Sequence, residues 1–476
     1  MTSTSTPSFI TLLCGLFLMF STASARPAAA QPAAGPGDSP VASTSAASAD
    51  AGSSADGGSS ADGGSSTADA QEQTPANASQ IEELRRRVDI LAAEVEQLRS
   101  GETETVTLSD ERRRALGLAP SAAATYRRKS EGVSFAGYGE MLLENFAGAN
   151  ESGGGGSPTT RLDFLRAVLY AGYRFNDRFL FNSEIEFEHV HEVGVEFAYV
   201  DFKVNENFSL RGGLLLQPLG LVNEFHEPNV FIGARRPETE RRILPSTWHE
   251  NGGGVLGSFG RLNFRAYVVN GLNASGFTSG GIRDGRQDGA EAHAADVAFT
   301  GRLDFTPTPG ISGGVGLYTG GSGQDAVVVD GQRLDVNTTI AEFHGLAQLR
   351  GFDVRGLYAR AAIGDAGPLS VSLDLPLTAP VAERMHGGYV QAGYNVLSRR
   401  QTPVSVMPYV RFEHVDTQNQ VPVGFTRDAA QVADYRTLGV EVKPIPNIVV
   451  KTDYQWVTNE AGTGRNQFNV NLGYAF

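Results

Sequence analysis

From Val133 to the end of the chain, apolar and polar side chains take turns in segments separated by Gly, Asn, Asp and Pro. The last of them is the cleanest. Phe468, Val470, Leu472, Tyr474 and Phe476 fall on one face, and Gln467, Asn469, Asn471, Gly473 and Ala475 on the other. Successive side chains of a strand point to opposite faces, so this period of two predicts a strand with one apolar and one wet side. The pattern recurs upstream. Ile448, Val450, Thr452, Tyr454 and Trp456 oppose Val449, Lys451, Asp453 and Gln455; Phe179, Phe181, Ile185 and Phe187 oppose Asn182, Glu184, Glu186 and Glu188. Sixteen such segments can be read, most of them about ten residues long, enough to cross a bilayer when tilted.

A soluble sandwich strand gives the same alternation, but it would turn the apolar face into a dry core. Here the apolar faces are rich in aromatics, as a lipid-facing skin would be. The expectation is therefore all-β: a 16-stranded antiparallel transmembrane β-barrel, preceded by an N-terminal short coiled-coil helix. A barrel of this size encloses a water-filled channel rather than a packed core. Short turns at 176–177, 205–207 and 260 suit the periplasmic side. Long loops at 217–252, 272–294, 320–337, 364–387 and 415–434 suit the external one.

The segments before the barrel read differently. Phe9 to Phe20 is a short apolar run followed by Ser-Thr-Ala-Ser-Ala, so residues 1–25 predict a secretory signal, although no Lys or Arg precedes the run. Residues 26–76 are Ala, Ser, Gly, Asp and Pro, including two copies of SSADGG; they lack the apolar content to offset ordering and read as a disordered tether. In 77–101, Ile81, Leu84, Val88, Leu91, Val95 and Leu98 are spaced three and four apart, with Ser79 and Glu82 placed as a capping box. That predicts a short coiled coil, nominally dimeric but free to adopt the stoichiometry of an attached domain. A lone amphipathic helix lying on the barrel is the alternative. Residues 102–132 read as a polar linker.

Composition then excludes whole classes. The one cysteine, Cys14, leaves with the signal, which removes disulfides, cysteine-ligated zinc and thiol catalysis. A net charge of −14 and no basic, aromatic-interleaved stretch argue against nucleic acid. No Walker or HExxH motif occurs, so no catalytic residues are assigned, no cofactor is expected and the chain is not read as an enzyme. His189-Val190-His191-Glu192 is the one metal-like run, but it sits at a strand end where exposed polar residues belong, and no metal is assigned to it. Gly252–Gly257 matches GxGxxG in letters only, with no helix after it.

The candidate functional stretch is the loop from Gln217 to Gly252. It mixes Leu, Phe and Ile with Arg235, Arg236, Arg241 and Arg242 and with Glu224, Glu227, Glu238 and Glu240. A purely external loop has no need of that apolar content. Folded into the lumen, it would lay its apolar side on the wall and present guanidinia to a constriction, which favours anions. The alternative is an external loop whose Arg and Glu pair with one another or bind lipopolysaccharide phosphates. Wall candidates are Glu140, Glu184, Glu186, Glu188, Arg166, Arg211, Arg265, Arg411 and Lys451.

With these stretches in view, the chain resembles the outer-membrane porins related to the phosphate-selective porin O/P family. The resemblance rests on EIEFEH (Glu184–His189), EFAYVDF (Glu196–Phe202), GLLLQPLGLVNE (Gly213–Glu224), ERRILPSTWHENGGGVLG (Glu240–Gly257) and the terminal YAF. It implies a homotrimeric pore in the bacterial outer membrane, surrounded by lipid and passing small hydrophilic solutes, with the tether and coiled coil in the periplasm. Phosphate-selective members line the pore with a lysine and arginine ladder; this chain, with Lys129, Lys203, Lys443 and Lys451 only, departs from that. The expected function is passive diffusion, with an anion bias where the loop arginines line the constriction. Two rivals are a barrel that chiefly anchors the outer membrane to the cell wall, and a barrel hydrolase.

Overall fold

The computed structural model describes residues 81–92, 105–329 and 331–476. The expected signal and tether lie outside these. Sixteen strands form one closed antiparallel barrel: β1 (Gly132–Phe146), β2 (Thr159–Arg174), β3 (Phe179–Glu188), β4 (Glu192–Lys203), β5 (Phe208–Leu216), β6 (His249–Phe259), β7 (Leu262–Asn270), β8 (Val297–Thr308), β9 (Ile311–Gly321), β10 (Asn337–Leu349), β11 (Phe352–Ile363), β12 (Arg384–Tyr394), β13 (Ser405–Gln420), β14 (Val432–Ile445), β15 (Ile448–Asn459) and β16 (Gln467–Ala475). Each pairs with its sequence neighbours, and β16 closes on β1 with Leu142 opposite Asn471. The last residue seals the seam: Phe476 N–H donates to Gly137 O at 2.8 Å, and Gly137 N–H to Phe476 O at 3.0 Å. Closure leaves no strand edge unpaired, which a barrel in hydrocarbon requires.

The period of two sorts the faces as expected. Phe468, Leu472, Tyr454, Trp456, Phe179 and Phe187 are exposed on the outside, whereas Asn469, Asn471, Lys451, Asp453, Glu184 and Asn182 are buried inside. The apolar skin faces outward and the interior is polar, the opposite of a soluble sandwich. Chain ends and connections alternate as well. Short turns such as 175–178 and 260–261 lie at one end with both ends of the barrel sequence, and most long connections lie at the other. The turn at 189–191 breaks the alternation, being short at the long-loop end.

Two expectations need correcting. The interior is not an open water channel: Arg166, Arg211, Arg265, Arg411, Glu140, Glu184 and Lys451 are all buried beneath protein. Inserted chain, not water alone, covers the wall. Nor are residues 105–131 merely a linker. They hold α1 (Asp110–Ala115) and α2 (Ala124–Arg127), and Leu118, Ala122, Ala123 and Tyr126 join the buried cluster that contains Tyr170, Leu180, Phe197 and Tyr199 of the wall. Small Ala side chains let this segment approach the strands closely. Further upstream, 81–92 is helical, and Ile81, Leu84, Val88 and Leu91 lie exposed along it. Val95 and Leu98 lie outside the described residues.

Candidate functional site: a barrel lumen crossed by two inserted segments

The first insertion is 217–248, which leaves β5, crosses the lumen and returns to β6. Wall side chains hold its backbone from many strands. Lys451 Nζ donates to Phe231 O at 2.8 Å, Lys443 Nζ to Asn229 O at 2.8 Å, Arg355 to Val230 O at 3.0 Å and Arg166 to His226 O at 2.9 Å. In the other direction, Ala234 N–H donates to Asp453 at 2.8 Å and Thr239 N–H to Glu413 at 2.6 Å. A loop carries more backbone donors and acceptors than it can pair within itself, and buried ones must find partners. The charged inner wall supplies them. Leu219, Leu221, Ile243, Leu244 and Trp248 lie fully buried in the same core cluster, which accounts for the loop's apolar content.

Its expected constriction arginines divide into separate roles. Arg235 pairs with Glu144 at 2.9 Å and Glu238 at 3.6 Å, and also donates to Gln467 at 3.1 Å. Arg241, on α3 (Glu238–Arg242), pairs with Glu238 at 2.6 Å yet keeps its side chain 44% exposed. Arg242 donates to Gly280 O at 2.9 Å and to Thr417 at 3.3 Å, tying the loop to the long-loop end. Arg236 is half-buried and, among the described residues, makes no hydrogen bond or ion pair. Arg236 and Arg241 are thus the guanidinia with donors to spare. Glu224 and Glu227 are anchors rather than pore lining: Glu224 meets Arg265 at 3.1 Å, and Glu227 accepts Ser121 N–H at 2.7 Å.

Glu240 is the loop's internal clasp. Its carboxylate accepts from Leu221 N–H at 2.9 Å, Val222 N–H at 2.7 Å and the Tyr389 hydroxyl. Burial pushes this carboxyl up to about 7, partly opposed by those same hydrogen bonds. A raised carboxyl pKa means the docked loop prefers the protonated form. The resulting stability is present in full below the ordinary carboxylate value and is lost as pH rises through about 7. Between pH ~6 and ~8, trypsin cleavage at Arg241 is therefore expected to accelerate more in the wild type than in Glu240→Gln. Equal acceleration would remove Glu240 from the docking equilibrium.

The second insertion, 105–131, fills the short-turn end. Ser109 caps α1, accepting Arg112 N–H at 3.2 Å. Arg265, from β7, donates to Arg114 O at 2.7 Å and Ala115 O at 3.0 Å, satisfying carbonyls at the helix end that have no partner within it. Arg211, from β5, holds Asp201 at 2.7 Å and reaches Leu116 O at 3.3 Å, and the Tyr126 hydroxyl donates to the same Asp201. Gly117 follows with φ +65°, a conformation that favours glycine, and a Cβ there would lie 2.2 Å from Glu224 Oε1, so any larger residue must displace that carboxylate. Beside α1 a cavity of about 340 Å³ remains, lined by Asp110, Arg114, Phe225, Arg302, Asp304 and Gln348.

The remaining wall candidates are distributed around these insertions. Arg411 donates to Arg235 O at 3.1 Å, and Glu186 lies 3.4 Å from Arg166. Glu188 is half-exposed at the end of β3. His189 faces Asp163 at 2.6 Å, while His191 stays exposed, so the two do not converge. Two buried constellations are not apparent in the linear sequence. In one, Arg302 meets Asp304 at 2.8 Å, His344 meets Asp304 at 2.8 Å, and His344 meets Glu342 at 2.9 Å. In the other, Tyr138, Glu184, Glu196 and His226 converge. The first takes two residues from each of two strands, β8 and β10, and the second joins three strands to the inserted loop; only the inward parity of their strand residues could have flagged them.

A closed sixteen-stranded barrel with an apolar skin, a polar interior and a long loop folded inside has the architecture of porin-type outer-membrane barrels. The chain is 36% identical over 354 residues to an uncharacterized protein of Aquifex aeolicus (strain VF5), covering 71% of this chain and 78% of that one, and belongs to the same family. No family model matches the chain. Among solved structures it is similar to an anion-selective porin from Comamonas acidovorans (12% identity, 73% of this chain and 100% of that one, TM-score 0.46). It is also similar to Salmonella typhi OmpF in complex with daunomycin (11% identity, 73% and 98%, TM-score 0.48) and to OprB of Pseudomonas putida (10% identity, 72% and 94%, TM-score 0.48).

Proposed function

We propose that this protein is a passive outer-membrane channel for small hydrophilic solutes, biased toward anions and narrowed by its own inserted segments. The observation that carries the reading is the loop 217–248 held inside a closed barrel with Arg236 unpaired and Arg241 half-exposed. Fixed guanidinia in a narrow passage replace an anion's lost hydration and repel cations. The scarcity of lysine separates it from the ladder of the phosphate-selective porins, so the bias proposed is toward small anions in general. A homotrimer is part of the proposal, supported by the exposed apolar stripe of Ile81, Leu84, Val88 and Leu91, which a single chain leaves uncovered.

Reversal potential in planar bilayers under a salt gradient tests this. Arg236→Glu with Arg241→Glu is expected to shift the reversal potential toward cation preference while single-channel openings persist. An unchanged potential removes the role assigned to the loop. Arg235→Glu, by contrast, is expected to lower the unfolding temperature, because it places a third carboxylate beside Glu144 and Glu238.

A further inference from the structure

We propose that Glu184, Glu196 and His226 form a binding site for one divalent transition-metal ion, which staples the inserted loop to the barrel wall. The inference is independent of which solute crosses the barrel. His226 follows the short turn Asn223–Phe225, and its Nδ1 lies 2.7 Å from Asn223 O. That contact assigns a proton to Nδ1 and aims Nε2 at the wall, the arrangement in which a histidine is oriented for a metal by its other nitrogen. Nε2 lies 2.7 Å from Glu196 Oε2 of β4 and 3.9 Å from Glu184 Oε2 of β3. The Tyr138 hydroxyl of β1 stands 2.7 Å from Nε2 and 3.0 and 3.1 Å from the two carboxylates. One atom from each of Glu184, Glu196 and His226 lies within 4.8 Å of the others, and all three residues are buried.

Two further observations point to a ligand. Glu184 Oε1 is buried with no hydrogen-bond partner. Next to it is a cavity of about 10 Å³ lined by Glu184, His226, Glu224, Tyr199, Arg211 and Gly117. That is close to the space one water or one small ion takes up. Charge leads to the same place. Arg166 contacts Glu140 at 2.8 Å and Glu186 and Glu196 at 3.4 Å, but among the described residues no arginine or lysine lies within ion-pair distance of Glu184. A buried carboxylate without a counter-charge is costly, and a cation or a proton must make up the deficit.

The donor set names the class of ion. One imidazole nitrogen, two carboxylates and a phenol oxygen suit Zn²⁺, Mn²⁺ or Fe²⁺. Ca²⁺ wants six to eight oxygens and is disfavoured by the imidazole. On binding, the ion enters between Nε2 and Glu196, any proton held there leaves to solvent, and the two ligand atoms separate to about 3.4 Å around it.

Full-length protein folded in detergent micelles, stripped with EDTA and titrated with ZnCl₂ or MnCl₂ alone, tests the site. One ion per chain is expected, with affinity lowered at least ~100-fold in His226→Ala and in the near-isosteric Glu184→Gln. Loading is also expected to raise the unfolding temperature of the wild type and to leave both variants unmoved. Heat-modifiability on SDS gels establishes that each variant is folded, and His189→Asn/His191→Asn should bind as the wild type does. Three results overturn the proposal: no stoichiometric ion in the wild type, unchanged affinity in folded Glu184→Gln, or loss of the ion in the His189/His191 variant. In the first case the cluster holds a proton instead.

Discussion

Removing residues 105–131, with the upstream chain joined directly to β1, is expected to raise single-channel conductance several-fold. The segment fills the short-turn end of the lumen, where Leu118, Ala122, Ala123 and Tyr126 pack on the wall and Arg265, Arg211 and Asp201 grip it. Conductance follows the narrowest cross-section, so withdrawing a folded segment widens the path even though the wall is unchanged. A milder change makes the same point. Gly117→Val adds a branched side chain where φ is +65° and Glu224 already lies against the Cβ position, so it is expected to undock the segment while sparing the barrel. If both variants conduct as the wild type does, the segment is not the obstruction and the loop 217–248 sets the cross-section by itself.

Arg166→Met is expected to have the largest effect on stability of any single substitution in the lumen. The guanidinium is buried and serves Glu140, Glu186, Glu196 and the carbonyl of His226 at once. Removing one partner of a buried ion pair leaves uncompensated charge and costs about 3–5 kcal/mol. Here three carboxylates lose their cation and the loop loses a tether. The unfolding temperature read by heat-modifiability should fall well below that of the wild type, and Glu140→Gln added to Arg166→Met should recover part of the loss. An Arg166→Met protein as stable as the parent would mean that these carboxylates are neutralised some other way.

Much of the barrel was legible in the sequence because a strand between lipid and a polar lumen must alternate. Phe468/Asn469 and Tyr454/Asp453 show the rule residue by residue, with the apolar member exposed and the polar one buried. The inserted loop was legible for a related reason, since Leu219, Leu221, Ile243 and Leu244 have no place on an exposed turn. The second insertion, 105–131, was hidden by its composition. DERRRA looks solvated, but in the structure Arg113 and Arg114 are partly buried, and the Ala-rich run 119–124 packs through small size, which carries no periodic signal. His226 was hidden for another reason. Its partners come from β1, β3 and β4, far away in sequence, whereas the adjacent His189 and His191 drew attention and do not meet.

The two ends of the inserted N-terminal segment touch: Val106 N–H donates to Arg127 O at 2.7 Å, and Arg112 reaches Glu206 O in a short turn at 2.7 Å. It therefore enters and leaves through the same mouth, like a stopper on a doubled cord. Tension on the upstream chain can draw it out whole without threading a free end past the loop and without opening any rung of the cylinder.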